Sequence, residues 1–126
     1  MIDKTVKYFT NQRNEKIKFE IIIVNDGSKD NTQKVIDNLI KKYQNVVEIA
    51  QVTYKNNAGK GYAVATGFKY SRGEYILMLD ADGATNIQDF EILMKDMNKI
   101  KSDENVNGEL IIGSRKLNSD VKVILF

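Results

Sequence analysis

Residues 19–24 read FEIIIV and run straight into Asn25-Asp26-Gly27-Ser28. A near-continuous β-branched run of this kind suits a strand buried on both faces, as in a parallel sheet with helices on either side. The next apolar residues change period. Val35, Ile36, Leu39, Ile40 and Tyr43 recur at the spacing of one helical face. The same change of period recurs downstream, so strands alternate with helices. That order calls for an α/β fold with a mostly parallel sheet.

The remaining elements follow from the same reading. Ile2, Val6 and Phe9 share a helical face, and residues 11–18 form a polar loop. Asp30 or Thr32 is the expected N-cap of the helix after FEIIIV. Residues 46–52 form a second strand, less uniformly apolar and so nearer an edge. NNAGKG leads into a helix in which Ala63, Ala65 and Gly67 permit close packing. SRGE turns the chain into a strand over residues 75–79 (YILML). Phe90, Leu93, Met94 and Met97 mark a further helix at i, i+3, i+4 and i+7, and residues 110–112 form a short strand ending in Gly-Ser-Arg. No repeat or break in composition divides the chain, so its 126 residues are expected to form one domain spanning 1–126.

Composition narrows the chemistry. With no cysteine there is no disulfide, thiolate metal site or Cys nucleophile, and with no histidine the usual general base is missing. Catalysis must rest on carboxylates, hydroxyls, Lys, Arg and backbone amides. A net charge of +2 gives no argument for nucleic acid. No apolar run approaches the ~18 residues that span a bilayer, and the first residues do not read as a signal peptide, so a soluble piece is expected.

In open α/β sheets, ligands bind beyond the carboxyl ends of the strands. Three such ends carry polar groups here: Asn25-Asp26-Gly27-Ser28, Asp80-Ala81-Asp82 and Gly113-Ser114-Arg115. All three are expected on one rim. Asp80 and Asp82 straddle one residue, so on an extended chain they point the same way. Two such carboxylates repel unless a cation compensates, and oxygen-only ligands favour Mg²⁺ or Mn²⁺. Taken alone, DADG fits a plain turn equally well, and NDGS fits a plain Asx/Gly turn better. An EF-hand is excluded, because Ala84 and Thr85 stand where it needs a ligand and a glycine. Gly59-Lys60-Gly61 could admit a nucleotide close to the backbone, although Tyr62 rules out a P-loop. Arg115 could pair with phosphate, but a lone Arg is more often a surface charge.

Taken in order, IIIVNDGSKDNT, NNAGKGYAVATG, SRGEYILMLDADGAT and IIGSR resemble a family 2 glycosyltransferase with the GT-A fold. DADGAT, with GKG before it and GSR after it, is most similar to the branch that glucosylates dolichyl phosphate. The resemblance runs from about residue 2 to 115, and it implies a three-layer α/β/α domain truncated at both ends. The family's first strand and its acceptor-side half have no match. Asn25 departs from the family, which commonly has Asp there.

What the resemblance implies is specific. Asp26 would meet the uracil of UDP-glucose, with Gly27 and Ser28 beside it. Gly59, Lys60 and Gly61 would lie near the nucleotide. Asp80 and Asp82 would hold Mg²⁺ or Mn²⁺ against the diphosphate, and Arg115 would meet the diphosphate or the acceptor phosphate. The reaction would be inverting transfer of glucose to dolichyl phosphate for N-glycan assembly. The whole protein would work at the cytosolic face of the endoplasmic reticulum membrane. These residues alone would be inactive, and their interrupted sheet, with the apolar VKVILF of residues 121–126, would favour self-association. The alternatives are a mannosyl or polysaccharide enzyme of the same family, a phosphoacceptor receiver-like module, and a non-catalytic nucleotide-binding module.

Overall fold

The computed structural model describes residues 1–11, 17–100 and 111. They belong to two compact units, Met1–Ala84 and Thr85–Phe126.

The first unit is built on a parallel pair of strands. Strand β1 (Glu20–Asn25) pairs with β2 (Glu48–Thr53) in the register Glu20↔Glu48 to Asn25↔Thr53. Helix α1 (Ile2–Thr10) precedes β1, α2 (Thr32–Tyr43) connects the strands, and α3 (Lys60–Tyr70) follows β2. This is the α/β order expected from the alternation of periods. Val6 of α1, Ile36 of α2 and Val47 ahead of β2 are the buried apolar residues among those described. Two links tie α1 to α2. The Lys42 ammonium lies 3.0 Å from Asp3, and the Tyr43 hydroxyl donates to the same carboxylate at 2.6 Å. Both partners hold the Asp3 carboxyl below its ordinary value, the Tyr43 hydroxyl more strongly. Helix α3 packs on β1, where the missing side chain of Gly67 leaves a Cβ position 3.8 Å from Val24 Cγ2.

Several expectations are corrected. Asn31 takes the N-cap position of α2 without a side-chain cap bond, and Asp30, one residue earlier, accepts the Thr32 N–H at 3.0 Å. The Thr32 hydroxyl donates to the same oxygen and holds the Asp30 carboxyl low. Val35 leaves the apolar stripe and is exposed, and Val46 is exposed ahead of β2. Residues 75–79 are not a strand. Ile76 and Met78 are exposed, at 43% and 48%. The apolar pattern was there, but a strand also needs a ladder partner, and among the described residues none pairs with this segment.

In the second unit, Asn86 accepts the Gln88 N–H at 3.2 Å and opens a single 3-10 turn, Ile87–Asp89. Helix α4 (Phe90–Ile100) follows, with the expected Phe90, Leu93, Met94 and Met97 stripe half-buried. The strand expected over 110–112, apart from Ile111, lies outside the described residues, as do Gly113-Ser114-Arg115 and residues 121–126.

Candidate functional site

The site forms where β1 ends. Asn25 is 4% exposed, and its side chain does structural work. Its Oδ1 accepts the Ser28 N–H at 3.0 Å, its Nδ2 donates to Gln33 Oε1 at 3.3 Å, and its carbonyl accepts the Tyr54 N–H at 2.9 Å. The side chain thus closes the turn that the sequence allowed, on an N–H three residues on. An Asn at this position supplies a donor and an acceptor together, which an ionised Asp could not.

Asp26 comes next, and it reaches across to the loop before α3. One carboxylate oxygen accepts the Ala58 N–H at 2.7 Å and the other the Gly59 N–H at 2.8 Å. Gly27 has a φ of +75°, and a Cβ there would fall 2.7 Å from the Asn57 nitrogen. Glycine is therefore required twice over, by conformation and by space.

Gly59 caps α3 with a φ of 94° and no side-chain bond to the helix. Gly61 differs, since its φ is not positive and a Cβ there would meet nothing within 4 Å. Nothing inside the described protein requires a glycine at 61. The absent side chain leaves the start of α3 open to a ligand.

Lys60 stands between these glycines and carries the link to the second carboxylate-bearing segment. Its ammonium lies 2.9 and 3.0 Å from the two oxygens of Asp80. Asp82 spends one oxygen on its own turn, accepting the Ala84 N–H at 2.8 Å. The DADG segment is thus both a turn and a pair of carboxylates. Asp26 and Gly27 meet the loop that ends in Gly59, Lys60 meets Asp80, and Ser28 contributes its backbone N–H to Asn25. Arg115 lies outside the described residues.

Among the described residues no three acidic, His or Cys side chains gather as a metal site. Asp80 and Asp82 offer hard oxygen donors only, which fits a Mg²⁺ or Mn²⁺ ion whose other ligands are phosphate oxygens and water. Sequence reasoning missed Asn57 and Ala58, and the bond from the Gly59 N–H to Asp26. A backbone N–H has no sequence signature, and the Asn-Asn-Ala-Gly turn composition was the only hint.

Comparison with known proteins adds three findings. The family model described as glycosyl transferase family 2 matches residues 1–116. The chain is 42% identical, over 97% of its length and 37% of the relative's, to the dolichyl-phosphate beta-glucosyltransferase ALG5A of Trichomonas vaginalis. It is 48% identical to ALG5C of the same organism, over 91% of this chain and 33% of that protein. The Homo sapiens dolichyl-phosphate beta-glucosyltransferase is 41% identical over 80% of this chain and 32% of its own. The chain thus spans about a third of the length of these curated relatives. No solved structure matches.

Proposed function

The chain belongs to glycosyl transferase family 2, and on that premise we propose that the whole protein transfers glucose from UDP-glucose to dolichyl phosphate with inversion. The identity to dolichyl-phosphate beta-glucosyltransferases supports the acceptor and the sugar. The observation that carries the reading in this chain is the pairing of Lys60 with Asp80 at the carboxyl end of β1. It sets a cation and a carboxylate of the DxD pair at one point, beside the open backbone of Gly61.

Charge explains the arrangement. Carboxylate and phosphate ~4 Å apart repel by about 1 kcal/mol in water and about 4 at a protein surface. Asp80 and Asp82 alone would therefore repel a diphosphate. Mg²⁺ or Mn²⁺ held by Asp80 and Asp82 would supply Lewis-acid stabilisation of the departing UDP. Lys60 offers positive charge to the diphosphate from the same rim, and α3 adds its positive end without a side-chain cap. Arg115 is assigned to a phosphate by resemblance alone.

A phosphate acceptor asks little of a general base. A phosphate monoester with a second pKa near ~6 is mostly ionised at neutral pH, so it attacks without a strong general base. Among the described residues no helix is long and apolar enough to cross a membrane. Work at the cytosolic face of the endoplasmic reticulum is a proposal for the whole protein.

Two measurements test the reading. The whole protein should give labelled glucosyl lipid from UDP-glucose and dolichyl phosphate, and no mannosyl lipid from GDP-mannose. Calorimetry on this chain should show UDP-glucose preferred over GDP-mannose, in Mn²⁺ only. Preference for GDP-mannose in both would replace glucose with mannose in the assignment.

A further inference from the structure

Asp26 stands where the resemblance expects a contact with the base, and each of its carboxylate oxygens also accepts one backbone N–H group, from Ala58 and Gly59. Two further contacts fall on the same loop. Asn57 Nδ2 donates to the Asp26 carbonyl at 3.3 Å, and the Gly27 backbone lies so close that a Cβ would be 2.8 Å from the Asn56 carbonyl carbon. A two-residue turn after β1 thus grips residues 56–59 from side chain and backbone together.

We propose that Asp26 is a positioning residue: with Gly27 against the loop, its carboxylate latches residues 56–59 and so sets Lys60 against Asp80. Hydrogen bonds to an ionised carboxylate are roughly twice as strong as neutral ones. Two of them to successive residues fix both the place and the tilt of the loop. Gly59 needs that restraint, because its φ of 94° lies in a region where glycine is free to move and no side chain caps α3. Lys60 is the next residue, so the direction of its stem is inherited from the latch. The latch itself stands on geometry; its consequence for ligand binding rests on the nucleotide-sugar reading.

Two variants break the latch from opposite sides. Asp26→Asn keeps one acceptor and turns an NH₂ toward a backbone N–H. Gly27→Ala leaves the carboxylate intact and pushes the loop away. Amide hydrogen exchange on the ligand-free chain reads the latch directly. In both variants Ala58 and Gly59 should exchange at least about tenfold faster, and by a clearly larger factor than Ile36 and Val47 in the core, which follow any global loss of stability. Unchanged exchange at Ala58 and Gly59 overturns the proposal. Equal acceleration at Ile36 and Val47 overturns it too, by making Asp26 a general support of the fold.

Calorimetry with manganese pyrophosphate and with UDP in Mn²⁺ then separates positioning from base recognition. Loss of the latch should weaken pyrophosphate as well as UDP, by about tenfold for a broken charge-assisted pair. Loss of UDP affinity with pyrophosphate affinity retained would make Asp26 a base contact and overturn the positioning role. If pyrophosphate fails to bind the unaltered chain, the nucleotide-sugar reading fails, and exchange at Ala58 and Gly59 alone decides the latch.

Discussion

Glu20, the first residue of β1, and Asp26, the residue after its last, hold opposite ends of one helix. Asp26 takes the N–H groups of Ala58 and Gly59 just ahead of α3. Glu20 takes the Arg72 N–H at 2.7 Å just beyond it, and the Arg72 guanidinium at 2.6 and 2.9 Å. Helix α3 is therefore pinned along β1 by carboxylates at both ends. One end serves the candidate site and the other serves the fold.

The fold end carries a like-charge problem. Glu20 and Glu48 are register partners on adjacent strands, and like charges placed so are destabilising. The Arg72 guanidinium answers both, at 2.6 Å from Glu20 and 2.7 Å from Glu48. Arg72→Gln should therefore lower the Tm at pH 7 by a few degrees. Its guanidinium, then its N–H, hold the Glu20 carboxyl below its ordinary 4.5. A depressed carboxyl contributes stability above its unfolded value and loses it as pH falls through the folded one. The difference in Tm between variant and parent should consequently shrink from pH 7 to pH 3. A gap that widens on acidification would exclude Arg72 as the cause of the Glu20 shift.

Gly27 and Gly61 should respond oppositely to the same substitution. Gly27→Ala meets both a positive φ and a backbone nitrogen 2.7 Å away, so it should cost about 1–3 kcal/mol of stability. Gly61→Ala meets nothing within 4 Å. In the first turn of α3 it should gain up to about 1 kcal/mol while weakening binding of UDP in Mn²⁺. Denaturant melts and calorimetry on the two variants check both halves. Stabilisation without loss of affinity would show that the space at Gly61 serves no ligand.

The same apolar signal met a strand at one segment and none at another. FEIIIV became β1 because β2 lies beside it and α3 packs on it. YILML has equal apolar content, yet no described strand runs beside it, and residue type reports burial preference without naming a partner. The site shows a similar division. Asp26 and Lys60 were legible as charged residues next to glycines, and Asp80 as one of two carboxylates separated by a single residue. The partners of Asp26 were not, because backbone N–H groups are the same in every residue. Gly27 marked the spot, since only a close approach or a positive φ demands glycine there.

A metal held by Asp80 would have to displace Lys60 from it. The Lys60 ammonium occupies the carboxylate that the DxD pair would offer to a metal. Lys60→Gln should therefore tighten binding of free Mn²⁺, by up to about fivefold for an exposed pair. The same variant should weaken UDP in Mn²⁺, because the diphosphate loses a positive partner. Isothermal titration of Mn²⁺ alone and then of UDP separates the two effects. Weaker binding of Mn²⁺ alone would mean that Lys60 helps to organise Asp80 rather than to occupy it.

Asp82 gives the sharpest test of metal dependence. One of its oxygens is held by the Ala84 N–H at 2.8 Å, which fixes the carboxylate in the turn and leaves its remaining lone pairs for a ligand. Asp82→Asn keeps an acceptor for Ala84, so the turn should survive and the Tm should change little. The negative charge is lost, and with it one of the two anionic oxygens of a hard-cation site. Binding of UDP in Mn²⁺ should fall to the level seen in chelator, at least about tenfold weaker than in the parent chain. Calorimetry on parent and variant, each in Mn²⁺ and in chelator, completes the square. If the parent binds UDP equally well in chelator and in Mn²⁺, then Asp80 and Asp82 hold no metal that the nucleotide needs, and the DADG segment is a turn alone.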